Sequence, residues 1–205
     1  MANVIFQWVF LGLCMKGQLM KAAENPYASV IYECLASFPG LLAALLLSGH
    51  CWGLRPLLTF CHISSGLTLG LQSLGLYLAS HNLALFGHLS TNMFLCCNLA
   101  SLTHLTALIA PSTSTRGSFC GLFAAFFTLG GIARHLLNLL VISAQYLPTA
   151  ILALLSIFAA LAAFFLPETS GLHSLPEKWE DIMEIKKIPR KAFTNFNIPK
   201  FNQFL

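Results

Sequence analysis

The chain has 205 residues, of which 57% are hydrophobic and only 9% are charged. This balance excludes an ordinary soluble domain, because a surface in contact with water needs far more charge. Of the 18 charged residues, 11 follow Leu166, and an unpaired charge costs about 2.5–3.5 kcal/mol inside a bilayer. The first 166 residues are therefore typical of an integral membrane protein. The formal charge of +4 comes mainly from the mixed-charge tail and does not indicate nucleic-acid binding.

Apolar segments recur at the length of about 20 residues that a helix needs to cross a bilayer. The sequence therefore predicts an all-α bundle of about six transmembrane helices over residues 1–166. Pro39 and Gly40 inside the second span are tolerated where neighbouring helices pack closely. In chain order the predicted spans cover residues 4–20, 28–50, 57–80, 83–110, 118–143 and 147–166.

Basic residues alternate between the connections. Arg55 follows the second span and Arg116 follows the fourth, whereas the third-to-fourth and fifth-to-sixth connections carry no lysine or arginine. The positive-inside rule therefore predicts that Arg55, Arg116 and the C-terminus are cytoplasmic. Lys16 and Lys21 would then lie outside, which disagrees with the rule.

Residues 167–205 form a predicted cytoplasmic tail. Trp179, Ile182 and Met183 share one face of a short amphipathic helix near 175–188, which we expect on the membrane surface. Pro189 ends this helix, and beyond it we favour a disordered tail over a docked element.

The sequence carries no motif for an enzyme, a metal or another cofactor. The seven cysteines lack zinc-ribbon or CxxC spacing, the histidines lack metal-binding spacing, and no nucleophile or phosphate-loop motif is present. We therefore expect neither catalysis nor a cofactor.

Arg134 is the strongest candidate for a binding residue. Arg134, Asn138 and Gln145 form a polar stripe on the fifth span, and an arginine inside a membrane is by default a functional candidate whose natural partner is an anion. Arg134 lies about 27 Å along the helix from Arg116. Snorkelling to the outer surface is therefore an equally good alternative.

Two other polar features lie within spans. Glu33 is suited to bind a cation or a proton or to pair with Arg134, although we favour an interfacial carboxylate. On the fourth span, Asn98 belongs to a polar face that either packs against another helix or lines a cavity. This face consists of His88, Thr91, Asn98 and Ser101.

The end of the sixth span carries the string Leu-Pro-Glu-Thr-Ser-Gly at residues 166–171, followed by Leu-Pro-Glu at 175–177. This pattern resembles the C-terminal half of a major facilitator transporter. More closely, it is similar to the organic cation and anion transporters of solute carrier family 22, whose last helix ends in such a string. The other matching positions are Trp8, Pro39, Gly40, Gly53, Arg55, Arg116, Gly117 and Gly121.

The resemblance implies roles for several residues. Ser37 replaces an acidic residue of the family, and Thr128 occupies the position that is often arginine in anion transporters or aspartate in cation transporters. Arg134, Asn138, Thr128, Glu33 and Asn98 are the candidate substrate-binding residues. The positions implied in gating or in structural motifs are Arg55, Arg116, Gly117, Gly121, Pro39 and Gly40.

We therefore expect transport of small organic ions, with Arg134 favouring anionic or neutral solutes. Members of the family have about twelve helices in two halves, with the substrate between them. The expected partners are the lipid bilayer, a small organic solute and the missing N-terminal half or another subunit. The expected location is the plasma membrane. The alternative is a truncated or degenerate carrier that acts as a membrane interaction protein without transporting.

Overall fold

The computed structural model describes residues 2–15, 26–50, 53–110, 116–140 and 146–166. These residues form six α-helices and no strand, which confirms the predicted all-α class. The tail, with the helix predicted near 175–188, lies outside the described residues, as do Lys16, Lys21 and Gln145. The helices are α1 Ala2–Met15, α2 Pro26–His50, α3 Leu54–Tyr77, α4 His81–Ile109, α5 Arg116–Leu140 and α6 Tyr146–Phe164.

Four of the helices in the described residues are long and apolar enough to cross a membrane. The spans are Val30–Leu47 within α2, His81–Ile109, Arg116–Leu139 and Tyr146–Phe164. The described part of α1 has 14 residues and is shorter. Because α3 carries His62, Gln72 and several hydroxyl side chains among its 24 residues, it is less apolar than the four. The count of six spans therefore stays a prediction.

The outer surfaces of the helices are strongly apolar. Large hydrophobic side chains are exposed along α2, α3 and α6, for example Leu45 at 73% and Leu67 at 71%. Water-soluble monomers rarely expose apolar patches of this extent, whereas lipid tails cover them without cost. The surface therefore agrees with a membrane protein.

Four helices form a closed ring, in which α3 and α1 each pack against both α4 and α6. The main hydrophobic core lies inside this ring and includes Leu11, Leu69, Leu102 and Leu152, all almost completely buried. The remaining two helices flank it. Helix α2 packs mainly against α4, and α5 packs mainly against α1. The outer faces of α2 and α5 are therefore left open among the described residues.

Glycines allow the flanking helices to approach their neighbours closely. A Cβ atom on Gly40 of α2 would collide with the carbonyl oxygen of Met93 in α4. Likewise, a Cβ on Gly130 of α5 would collide with the carbonyl oxygen of Val9, and one on Gly12 of α1 with that of Phe127. Small residues that let backbones touch in this way are the usual means of packing helices in a membrane.

Candidate functional site

A polar network crosses the interior of the ring. The carbonyl oxygen of His62 in α3 accepts hydrogen bonds from Ser65 Oγ (3.0 Å) in the same helix and from Ser156 Oγ (2.8 Å) in α6. The two serine oxygens are themselves 2.9 Å apart. All three residues are buried. The network therefore joins α3 to α6 through atoms that lipid could not satisfy.

Asn98 belongs to the same buried region. Its Nδ2 lies 3.4 Å from Nδ1 of His62, and the side chain is 1% exposed. The ring of Phe10 in α1 packs edge-on against His62, with centroids 5.4 Å apart. Asn98 Oδ1 and His62 Nε2 have no hydrogen-bond partner among the described residues. The structure thus places Asn98 in helix packing, one of the two roles predicted for its face.

Gln7 is a polar residue that the sequence analysis did not single out. It is completely buried, and its Nε2 donates a hydrogen bond of 2.7 Å to the carbonyl oxygen of Ala159 in α6. The sequence does contain a signal for this role, because Gln7 is an isolated amide side chain within an apolar helix. Its cross-helix bond ties α1 to α6.

Glu33 contacts a histidine rather than Arg134. Its Oε1 lies 3.4 Å from Nε2 of His88 in α4. The side chain of His88 is fully buried, whereas that of Glu33 is 36% exposed. Deeper along the same face of α4, a hydrogen bond of 2.9 Å joins the hydroxyls of Thr91 and Thr68 in α3. The structure therefore places Glu33 in a polar contact between α2 and α4.

Arg134 points into the bundle. Its side chain is 5% exposed, and its Nη1 donates to the carbonyl oxygen of Pro148 at the start of α6 over 3.5 Å. The guanidinium Nε has no partner in the described part of the chain. The burial of Arg134 argues against snorkelling to the membrane surface and against a position on the exposed face of α5. Asn138, one turn later in the same helix, is half-buried.

The exposed surface of α5 carries three small residues beside large hydrophobic ones such as Ile132. Gly117 and Gly121 are both exposed, and a Cβ atom added to either would meet no atom of the described residues within 4 Å. Thr128 is also exposed, and its hydroxyl donates to the carbonyl oxygen of Ala125 over 2.7 Å. Thr128 therefore lies on the outer surface of α5 rather than in the interior of the bundle.

The remaining positions on which the resemblance rests lie near the ends and crossings of helices. The Arg55 guanidinium stacks over the Phe164 ring at 4.4 Å and so joins the start of α3 to the end of α6. Arg116 begins α5, half-buried, and no described residue bonds to its Nε. Pro39 lies exposed within α2, beside the Gly40 crossing.

The five predicted substrate-binding residues do not form one cluster. Within the described part of the chain, no hydrogen bond or ion pair joins any two of Arg134, Asn138, Thr128, Glu33 and Asn98. The described residues also contain no group of three or more histidine, cysteine or acidic side chains suited to a metal. The structure instead separates buried packing residues from two groups near open surface, Glu33 on α2 and Thr128 on α5.

An apolar groove among the described residues lies in a different part of the bundle from Glu33 and Thr128. It has a volume of about 740 Å³ between α3 and α6, and its walls include Leu67, Gly70, Leu154 and Tyr146. The lining is almost entirely apolar, so it suits contact with lipid chains better than the binding of an organic ion.

Comparison of the sequence with models of known protein families and with curated proteins found no match.

Proposed function

We propose that this chain is the C-terminal half of a membrane carrier for small organic ions and works together with a second half. The observation that carries the proposal is a repetition in the packing of the helices. Helix α2 of the first three packs on α4, and α5 of the last three packs on α1. The first helices of the two triplets, α1 and α4, touch each other, as do the third helices, α3 and α6.

These contacts are unchanged when each helix of α1–α3 is replaced by its counterpart in α4–α6, so the two triplets are related to each other. Because three antiparallel spans precede α4, the second triplet would run through the membrane with the opposite orientation. Inverted three-helix repeats are the plan of each six-helix half of a major facilitator transporter. The close contacts repeat as well, with Gly40 against α4 and Gly130 against α1.

The open faces of α2 and α5 are where we place the contact with the second half. Both flank the α1–α4 side of the ring. In such carriers the substrate lies between the halves near the midplane. Glu33 and Thr128 are the predicted binding residues near this side. Arg134 points into the bundle, so it does not supply a positive charge at this surface, on which the expected preference for anionic solutes depended.

The alternative is a carrier relative that no longer transports. The observation in its favour is Ser37, which stands where the resemblance implies an acidic residue. Its hydroxyl donates a hydrogen bond of 2.7 Å to the carbonyl oxygen of Glu33 in its own helix. Ser37 is uncharged and its hydroxyl is bonded within its own helix, so it supplies no negative charge to bind a solute.

The test is to fuse this chain behind the six-helix N-terminal half of an organic-ion transporter and to measure uptake of labelled organic cations and anions. We expect saturable uptake by the fusion and none by the chain alone. Thr128→Trp, which fills the open face of α5, should abolish uptake. Leu154→Trp on the lipid-facing groove is the matched control and should leave it intact.

Two results would contradict the proposal. Saturable uptake by the chain alone would show that no second half is required. A fusion that reaches the cell surface but carries none of the solutes would favour the non-transporting alternative.

A further inference from the structure

We propose that Glu33 and His88 form a proton-binding site inside the membrane, at the contact between α2 and α4. The proposal does not depend on transport, because it concerns only how these two side chains share a proton. It rests on their separation of 3.4 Å, the complete burial of His88 and the position of both residues in their helices.

The two residues lie at the same level of the bundle. Each is seven residues after the start of its helix, about 10 Å along the axis. Since one helix separates α2 from α4 in the chain, the two run in the same direction. Glu33 lies within the apolar span Val30–Leu47 and His88 within His81–Ile109. The contact therefore lies within the apolar span of each helix, about one turn after the start of the α2 span.

The charge balance at this depth favours one bound proton. With one proton, the pair is either an imidazolium beside a carboxylate or a carboxylic acid beside a neutral imidazole, and neither form has a net charge. Removing that proton leaves a net negative charge, and adding a second leaves a net positive charge. Both changes are unfavourable in hydrocarbon. The two groups therefore titrate as a unit.

The contacts of the described residues bring no competing charge to this level. From α3, the residues at this level are Thr68, bonded to Thr91, and Gln72, whose backbone packs against Gly87. Neither side chain titrates. Helices α1 and α5 also contact α4, but the buried cation of α5, Arg134, donates a hydrogen bond to the carbonyl oxygen of Pro148 in α6. Glu33 is thus the charged group that faces His88.

Access for the proton comes from the Glu33 side. The Glu33 side chain is 36% exposed on the surface of α2, whereas the His88 side chain is fully buried. A proton can therefore reach the carboxylate first and then be shared with Nε2 of the imidazole. No covalent bond other than the one to this proton changes.

The test is nuclear magnetic resonance on the full chain in lipid nanodiscs, with ¹⁵N-labelled histidine and ¹³C-labelled glutamate. His88→Gln and Glu33→Gln assign the two signals. In the unmodified chain we expect both signals to change together, with one common midpoint, when the pH is varied across about 5 to 8. Removing either partner should change the proton affinity of the other by at least about tenfold, or one pH unit.

Two controls separate this site from general effects. Ser37→Ala removes a hydroxyl one turn from Glu33 without touching His88, and the common midpoint should stay unchanged. His104, exposed on α4, should titrate in the same way in every variant.

The proposal is overturned if Glu33→Gln leaves the titration of His88 unchanged. If Glu33→Gln does not fold, the titration of both signals in the unmodified chain still tests the proposal. Separate midpoints for the two signals, or a His88 that stays neutral while Glu33 titrates as an isolated exposed carboxyl group, would also overturn it.

Discussion

Single buried polar residues hold this bundle together through backbone acceptors of neighbouring helices. Ser156 is the clearest case, because it bonds to the carbonyl oxygen of His62 and also contacts Ser65. We expect Ser156→Ala to lower the free energy of unfolding by about 0.6–1.7 kcal/mol, the range of such bonds in membranes. Reversible unfolding in mixed micelles measures this value. Ser118→Ala on the exposed face of α5 is the control and should change it by less than about 0.5 kcal/mol.

Two substitutions of Arg134 distinguish the contribution of its charge to stability from the contribution of its packing. A buried charge with one long hydrogen bond costs about as much to desolvate as it returns, so Arg134→Met should stay within about 1 kcal/mol of the original stability or exceed it. Arg134→Ala removes the packing of the long side chain and should lower stability by about 1–3 kcal/mol. The same unfolding measurement compares the two variants. Equal losses in both would show instead that the charge itself stabilises the fold.

The residues of the candidate site were predictable only in part. The sequence identifies Glu33, Arg134 and Asn98 as polar groups within apolar segments, which needs nothing more than the cost of burying them. Their partners were not predictable. His88 lies 55 residues after Glu33, and no spacing rule within one helix connects residues on two helices. Pairing with Arg134, one of the alternatives that the sequence left open for Glu33, therefore overlooked the histidine on α4.

At the scale of the element, the helices begin before the apolar segments that predict them, whereas α3 ends earlier than predicted, at Tyr77. Helix α3 begins at Leu54 rather than at 57, and α5 at Arg116 rather than at 118. Hydropathy falls at charged residues, whereas backbone hydrogen bonding continues through them to the helix end. Pro39 remains inside α2. Length and hydropathy thus predict that a helix exists more reliably than where it ends.

The crossing of α2 and α4 depends on Gly40. We expect Gly40→Ala to force the helices apart, because the added methyl group meets the backbone of Met93 rather than a flexible side chain. The loss of stability should be about 1–3 kcal/mol, as for overpacked cores. Gly70→Ala is a matched control, because no atom of the described residues lies within 4 Å of its Cβ position. There alanine should raise stability by up to about 1 kcal/mol through its helix propensity.

Unfolding of both variants in the same micelles checks the difference. If Gly40→Ala is as stable as the original chain, α2 can move along α4 without loss, and this crossing does not fix their contact.

At the scale of the whole molecule, the sequence predicts the class of fold but not which helices are neighbours. In a soluble protein the apolar face of a helix points to the core. Here the apolar side chains of α2 point outward, since lipid is as apolar as a core. The informative signals for neighbours are small residues such as Gly12, Gly40 and Gly130, but each marks a contact without naming the partner.

The predicted orientation places the α3–α4 connection outside the cell and the α4–α5 connection in the cytoplasm. The structure supplies exposed positions at both ends, Asn82 near the start of α4 and Ser118 near the start of α5. Each is changed to cysteine in a chain from which the native cysteines have been removed. A membrane-impermeant maleimide should then label Asn82→Cys in intact cells, and Ser118→Cys only after permeabilisation. The reason is the arginine bias, since Arg55 and Arg116 lie on the same predicted side.

Labelling of Ser118→Cys but not Asn82→Cys in intact cells would show that the topology is the inverse of the predicted one. The half-exposed Glu33, which lies nearer the α3–α4 end, would then meet the cytoplasmic pH instead of the external one.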